Sequence, residues 1–258
     1  MSTQEQENSS LITRLFNAGA HFGFAKSRRH PSVTPFIFTN KTGTDIIDLE
    51  QTAAMLEHAK TILKEAGEKG QTVLFVGTKA EVAKTVEQFA KKAEMPYVAN
   101  RWIGGMLTNF SEIKKRIERL KLLTLEKESG ELERKYIKKE RVVIGREVAK
   151  LEFNFEGIKL MDRTPHLLLV VDPRHDVIAV QEATDMKVPV IAIMSSDCDV
   201  AKITTPVVIN DALKASVTLA LDELTNAYLE GRKNFTPAVP QRFVRTNDTR
   251  PRVSTPRA

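Results

Sequence analysis

The amino-acid sequence predicts an α/β fold: a doubly wound, mostly parallel sheet flanked by helices, with an inserted projecting helical hairpin and a basic C-terminal tail. Three observations support this prediction. Short apolar runs alternate with amphipathic segments of helical length, which is the pattern of strand–helix units in a parallel sheet. A highly charged segment at 109–156 interrupts the alternation, and basic residues accumulate among prolines from Arg232 onward.

The first half of the chain is predicted to contain a β-hairpin followed by strand–helix units. Residues 36–39 and 45–49 form two short strands around a Lys41-Thr42-Gly43 turn. Apolar spacing of three and four residues then indicates helices, and uninterrupted apolar runs indicate buried parallel strands. In chain order these elements are a helix at 50–68, a strand at 72–76, a helix after Gly77-Thr78-Lys79 that ends near Ala93, and a strand at 97–99.

The strand–helix alternation resumes after the charged segment. The predicted elements are strands at 167–171, 190–194 and 206–209 and helices at 176–186 and 211–228. Crossovers between parallel strands are short and right-handed. The two halves therefore combine into one doubly wound α/β domain, formed by residues 11–108 and 157–231.

Residues 109–156 are predicted to form an antiparallel, coiled-coil-like helical hairpin. Glu128-Ser129-Gly130 offers the reversal between its helices. Two narrow apolar stripes would join the helices. They are Ile113, Ile117 and Leu120 in the first helix, and Ile137, Ile144, Val148, Leu151 and Phe155 in the second. Charged helix faces are usually only solvated, but a projecting hairpin generally contacts a partner, and we favour that interpretation.

The positive charge is confined to the C-terminal tail. Lys and Arg number 39 and Asp and Glu 33, a net charge of +6. From Arg232 onward there are seven basic residues and one acidic residue, also +6, so residues 1–231 are neutral. A basic, proline-rich tail at 232–258 suggests a polyanion such as nucleic acid. A tail that only aids solubility is the alternative, and residues 1–10 are predicted to be a flexible N-terminus.

Composition also limits location and redox chemistry. Cys198 is the single cysteine, so an intramolecular disulfide and a cysteine-based zinc cluster are excluded. The N-terminal MSTQEQENSS has neither the charge nor the apolar run of a targeting peptide. No apolar run approaches the roughly 20 residues that span a bilayer. We therefore expect a cytoplasmic protein without a membrane partner.

The common catalytic motifs are missing from the sequence. Gly77-Thr78-Lys79 lacks the upstream glycine of a phosphate loop, and neither a dinucleotide fingerprint nor a nucleophile elbow occurs. Cys198 lies between Asp197 and Asp199, an acidic setting that raises a thiol pKa. Asp172 and His175 follow a strand, where α/β active sites lie. An acid–base or cation site there stays open beside a simple helix-capping role for Asp172.

Residues 100–109, Asn-Arg-Trp-Ile-Gly-Gly-Met-Leu-Thr-Asn, hold the only tryptophan. This segment, the Trp loop, joins a strand to the charged hairpin. Arg101, Trp102 and the glycine amides could bind a phosphate or an unstacked base. The alternative, favoured by composition alone, is a buried loop that fastens a helix to the sheet through an indole.

Six segments in this order resemble the bacterial-type ribosomal protein S2 family of the small subunit. The resemblance covers about residues 9–231. The segments are Ala20-His21-Phe22-Gly23, Pro35–Phe38 with Ile46–Glu50, Phe75–Lys79, Arg101–Asn109, Asp172-x-x-His175 and Val188–Ile193. Phe24 stands where the family usually has a histidine, and Asp162-Arg163 replaces a usual Gly-Gly. The loop 195–199 also differs from common forms.

The resemblance implies a structural constituent of the small ribosomal subunit, with no catalytic activity and no small-molecule substrate. It implies binding to 16S-type rRNA between the head and the body, contact with neighbouring ribosomal proteins, and docking of the mRNA-binding protein S1. It requires no cofactor, with Mg²⁺ only as an RNA counterion. The alternatives are a nucleotide- or sugar-phosphate-binding α/β enzyme using Lys79, Asp172 and His175, and an RNA-binding regulator outside the ribosome.

Basic and aromatic residues are the candidates for RNA contact, because cations neutralise phosphates without reading sequence. Five of them are predicted to lie in a basic N-terminal loop. The candidates are His21, Lys26, Arg28, Arg29, His30, Lys79, Arg101, Trp102, Asn109, Arg242, Arg245, Arg250 and Arg252. Removal of the tail is predicted to weaken RNA binding and to lower its salt dependence.

Overall fold

Residues 11–235 are described in a computed structural model of the chain. They form a five-stranded parallel sheet, a three-stranded antiparallel sheet and the helices around them. Four of the RNA-binding candidates lie outside the described residues, namely Arg242, Arg245, Arg250 and Arg252. No helix within 11–235 is long and apolar enough to cross a membrane.

The antiparallel sheet follows helix α1, which covers residues 11–17. Its strands are β1 (Phe22–Ala25), β2 (Ile37–Lys41) and β3 (Thr44–Ile47), in the order β1-β3-β2. The predicted hairpin is confirmed as β2 and β3. The interpretation of residues 21–30 as a loop was wrong at β1. This strand is only four residues long, and it forms because β3 offers it an edge, with Phe22 opposite Ile46.

The parallel sheet confirms the predicted doubly wound arrangement. Its strands are β4 (Val73–Val76), β5 (Tyr97–Val98), β6 (Leu167–Val171), β7 (Val190–Met194) and β8 (Thr205–Val208). The strand order is β5-β4-β6-β7-β8, and every neighbouring pair is parallel. The order reverses between β4 and β6, which makes this the switch point where ligands bind in open α/β sheets.

Helices cover both faces of the parallel sheet, because its side chains alternate between two cores. Val73 and Phe75 face a core built with α1, α2 (Leu49–Glu68), α3 (Ala83–Ala93) and α8 (Lys214–Lys233). Leu74 and Val76 face the other core, which contains α7 (Val177–Asp185), the Trp loop and the hairpin helices. The Trp loop and the hairpin therefore share one side of the sheet.

The hairpin consists of α4 (Phe110–Glu128), the short α5 (Glu131–Lys135) and α6 (Lys138–Phe155). The chain reverses at Gly130, whose φ of 73° is readily adopted by glycine. All members of the predicted stripes are buried except Ile137, which is 67% exposed. Ile137 caps the N-terminus of α6 instead of lying within the helix. Its assignment to the stripe was wrong.

Helix α8 differs from the prediction at both ends. It begins at Lys214, because the Asn210 side chain accepts hydrogen bonds from the Ala212 and Leu213 amides and holds a turn there. It continues to Lys233, so the predicted tail boundary at Arg232 falls inside the helix. The Arg232 guanidinium donates to the Ala93 carbonyl at 3.0 Å. Arg232 is therefore part of the folded domain.

Candidate functional site

The carboxyl ends of four parallel strands meet at the switch point. Thr78 and Lys79 follow β4, Asp172 follows β6, the segment 195–199 follows β7, and Asp211 comes after β8. The ammonium of Lys79 lies 3.0 Å from Asp172 Oδ2 and 4.0 Å from Asp211 Oδ1. The residues that the enzyme alternative requires lie at this edge of the sheet. Their geometry therefore tests that alternative.

Lys79 is already neutralised by carboxylates at this edge. Burial disfavours its charge, but Asp211 and Asp172 outweigh burial, and the pKa of Lys79 is raised. Asp211 is fully buried, and its carboxylate oxygens have no hydrogen-bond partner among the described residues. Burial and the neighbouring Asp172 raise the pKa of Asp211 to about 7. One ammonium thus serves two carboxylates, and it is not free to bind a phosphate.

The remaining groups at this edge do not assemble a catalytic set. Burial, reinforced by Asp197, raises the pKa of the Cys198 thiol, as the acidic flanks predicted. Asp172 Oδ1 accepts from the His175 amide at 3.1 Å, which fits the capping interpretation. The His175 side chain is exposed. Asp172, Cys198 and Asp211 place ligand atoms within 4.8 Å of one another. The cation that the structure places beside two of them is the Lys79 ammonium.

Most of the five basic candidates at 21–30 also have internal partners. Arg28 lies 4.0 Å from Asp197, Arg29 lies 3.5 Å from Asp45, and His30 lies 3.8 Å from Asp199. His21 stacks on Phe16 with ring centroids 4.5 Å apart, and burial lowers its pKa. Lys26 is exposed, and among residues 11–235 it has no ion pair. Among these five, Lys26 therefore has the charge least committed to the fold.

The Trp loop is organised around Glu182, a buried carboxylate on α7. Glu182 Oε1 accepts from Trp102 Nε1 at 3.0 Å and from the Gly105 amide at 2.8 Å. Glu182 Oε2 accepts from the Leu107 amide at 2.9 Å and from the amide and hydroxyl of Thr108 at 3.2 and 3.3 Å. One side chain therefore satisfies five donors of the loop, whose own backbone hydrogen bonds are turn-type bonds such as that from the Asn109 amide to the Gly105 carbonyl.

Glu182 is ionised in this position. Burial favours the neutral acid, but the hydrogen bonds from the Leu107 amide, Trp102, Gly105 and Thr108 outweigh it and lower the pKa of Glu182. The sequence analysis missed this residue. A signal exists, because Glu182 lies on the buried face of α7 next to Ala179 and Ala183. An acid on an apolar helix face requires a partner.

Trp102 itself is a packing residue. It is 8% exposed, and its single polar atom is used by Glu182. This burial agrees with the packing interpretation that composition favoured, and stacking of Trp102 on an RNA base stays an untested prediction. Arg101 and Asn109 are exposed at the two ends of the loop. Arg101 has no carboxylate partner among residues 11–235, so it stays a candidate.

Sequence comparison identifies relatives over most of the chain. The profile of a family described as ribosomal protein S2 matches residues 15–231. A small ribosomal subunit protein uS2 from Picosynechococcus sp. is 40% identical over 221 residues, which is 86% of each chain. The protein of the same name from Dictyoglomus turgidum is 40% identical and covers 86% of this chain and 90% of its own. A small ribosomal subunit protein uS2c from Emiliania huxleyi is 37% identical over 224 residues.

Proposed function

Given that the chain belongs to the ribosomal protein S2 family, and is thus a structural, non-enzymatic component of the small ribosomal subunit, we propose that it is held there by binding 16S-type rRNA between the head and the body. It acts in the cytoplasm, beside neighbouring small-subunit proteins. No cofactor takes part, and Mg²⁺ serves only as a counterion of the RNA.

The observation that carries this proposal is the surplus of free cations on the Trp loop and the hairpin. Several exposed basic side chains there have no carboxylate partner within residues 11–235, whereas those at the switch point are paired. They include Arg101, Arg116, Lys121, Arg146 and Lys150. Unpaired cations attract a polyanion and release its counterions. The surface therefore suits an RNA backbone.

Rebinding to small subunits stripped of this protein tests the proposal. The full-length chain is expected to cosediment with stripped small subunits and not with large subunits. The logarithm of its affinity should fall linearly with the logarithm of salt concentration, because phosphate contacts release counterions. Affinity that does not respond to salt, or equal binding to large subunits, would contradict rRNA as the binding partner.

The tail is expected to add to this salt dependence. Deleting residues 236–258 removes Arg242, Arg245, Arg250, Arg252 and Arg257 but keeps Arg232, which the fold uses. If four of these arginines contact phosphates, the slope of log affinity against log salt should become shallower by about 3. Rebinding at several salt concentrations measures it. An unchanged slope would mean that the tail does not contact RNA.

Docking of the mRNA-binding protein S1 is the second part of the proposal, and it rests on family membership. Small subunits rebuilt with this chain should retain added S1 through sedimentation, and stripped subunits should retain less. Equal retention by both preparations would remove S1 from its partners.

A further inference from the structure

We propose that rRNA enters the cleft between the Trp loop and the base of the hairpin, and that its sugar–phosphate backbone approaches the chain at Gly104. This Trp-loop cleft has a volume of about 490 Å³, and it is bounded by residues 103–105, the start of α4 and the end of α6. The inference rests on the proposed function, and it names the place at which that function is carried out.

The charges around the Trp-loop cleft leave a positive surplus. Arg116 and Lys150 line it, both are exposed, and neither has a carboxylate partner among the described residues. The two acids in the lining are already paired: Glu112 with Lys115 at 2.6 Å, and Glu147 with Arg119 at 3.5 Å. Paired acids repel an incoming phosphate less than free acids would. The two free cations can therefore attract a phosphate.

The two glycines of the Trp loop differ in what the fold requires of them. Gly105 has a φ of 88°, and a Cβ there would lie 3.3 Å from Asn109 Cβ, so the loop itself needs a glycine. Gly104 lies outside the left-handed region, and a Cβ there would meet no atom within 4 Å. The fold therefore accepts a side chain at 104. A glycine at that point leaves the backbone open to a close-approaching ligand.

The rest of the cleft lining favours a polyanion over a protein segment. Three of its four apolar members, Ile113, Leu151 and Phe155, are buried, and the fourth, Ile103, is half-buried. The accessible lining adds the amides Asn109 and Asn154. Helix α4 also begins here without a side-chain cap, and its 19 residues direct the positive end of a helix dipole toward the cleft. Cations, amides and a helix start together match phosphate oxygens.

Two variants test the cleft with stripped small subunits as the probe. Arg116→Gln with Lys150→Gln removes the free cations and keeps polar side chains. We expect roughly tenfold weaker rebinding at about 0.1 M salt and a salt slope shallower by about 1.5. Gly104→Ala should unfold like the wild type in urea and yet rebind several-fold more weakly, because its methyl group occupies space that the fold leaves to the RNA.

The matched control is Lys64→Gln with Lys84→Gln. It removes the same charge from exposed lysines of α2 and α3, which have no ion pair among residues 11–235 and cover the opposite side of the sheet. We expect the control to rebind with a nearly wild-type salt slope, because its lysines lie away from the cleft. A change seen in both the control and the cleft variant would reflect net charge alone.

The outcomes separate the inference from the function on which it rests. If both cleft variants rebind with wild-type affinity and salt slope, the inference is overturned. The proposed binding of rRNA would still be supported in that case, provided that the wild type rebinds normally. Weaker rebinding with an unchanged salt slope would place a ribosomal protein in the cleft and would also overturn it. Failure of the wild type to rebind would contradict the proposed function itself.

Discussion

Replacing Glu182 with alanine is expected to lower the free energy of unfolding by about 3–5 kcal/mol, because buried donors lose a charged acceptor. Five donors of the Trp loop converge on this carboxylate. Their losses are not additive, since a loop freed from Glu182 regains some hydrogen bonds with water. The loop should detach from α7, and the first helix of the hairpin should lose its fixed exit from the sheet.

Urea unfolding and the fluorescence of the only tryptophan measure this effect. Trp102 is 8% exposed, so its release should shift emission to longer wavelength in the folded variant. Glu182→Gln is the conservative comparison: it keeps one acceptor oxygen and should lose about half as much stability. Glu118→Ala removes an exposed acid of α4 and serves as the control. An unshifted emission and a loss below about 1 kcal/mol would refute the anchoring role.

The same substitution has a defined pH dependence. The pKa of Glu182 is lower in the folded protein than its usual value. Its contribution to stability is therefore fully present above the pKa of the unfolded chain and is lost as pH falls through the folded pKa. The difference between wild type and Glu182→Ala should shrink in acid.

Asp211→Asn is expected to stabilise the protein at alkaline pH. Removing a carboxylate whose pKa is lowered by folding, such as Glu182, has the opposite effect on stability. The pKa of Asp211 rises from 3.8 to about 7 in the folded protein, so the folded state holds the proton more tightly than the unfolded chain. The wild type then loses stability as pH rises from about 4 to about 7. Asparagine has nearly the same shape and no charge. It should add about 1–3 kcal/mol at about pH 8, after allowance for the weakened attraction to Lys79.

Urea unfolding at about pH 5 and about pH 8 measures the effect, with the gain expected to be small at the lower pH. Asp222→Asn changes a half-exposed acid of α8 that is paired with Lys92; it is the control and should show no such trend. A loss of stability at alkaline pH would mean that the charged Asp211 and Lys79 stabilise the fold as a pair.

The regular elements could be predicted because their signals are local. The apolar runs at β4, β6 and β7 and the stripes of α4 and α6 agree with the structure to within a few residues. Strand β1 gave no such signal, because four residues show little periodicity and their pairing depends on β3. Ile137 kept the helical spacing but became a cap, which depends on where the preceding turn ends.

The residue types of the candidate site could be predicted from the sequence, but their partners in the folded protein could not. Lys79, Arg28 and Arg29 have the residue types that bind phosphate, yet each lies beside a carboxylate that comes from a distant part of the chain or from another strand. Trp102 could either stack on a base or pack in a core, and composition favoured packing without naming its partner. Its role was decided by Glu182, 80 residues away.

The sequence by itself determined the doubly wound α/β class, the inserted hairpin and the order of motifs shared with ribosomal protein S2, since these follow from local periodicity and short segments. Only the tertiary structure decided which cations are free. Lys79 meets Asp172 across 93 residues, and Arg116 and Lys150 meet no acid within residues 11–235. The reason is physical: a charge is available to RNA only if folding leaves it unpaired, and pairing depends on which strand ends and helix faces the fold brings together.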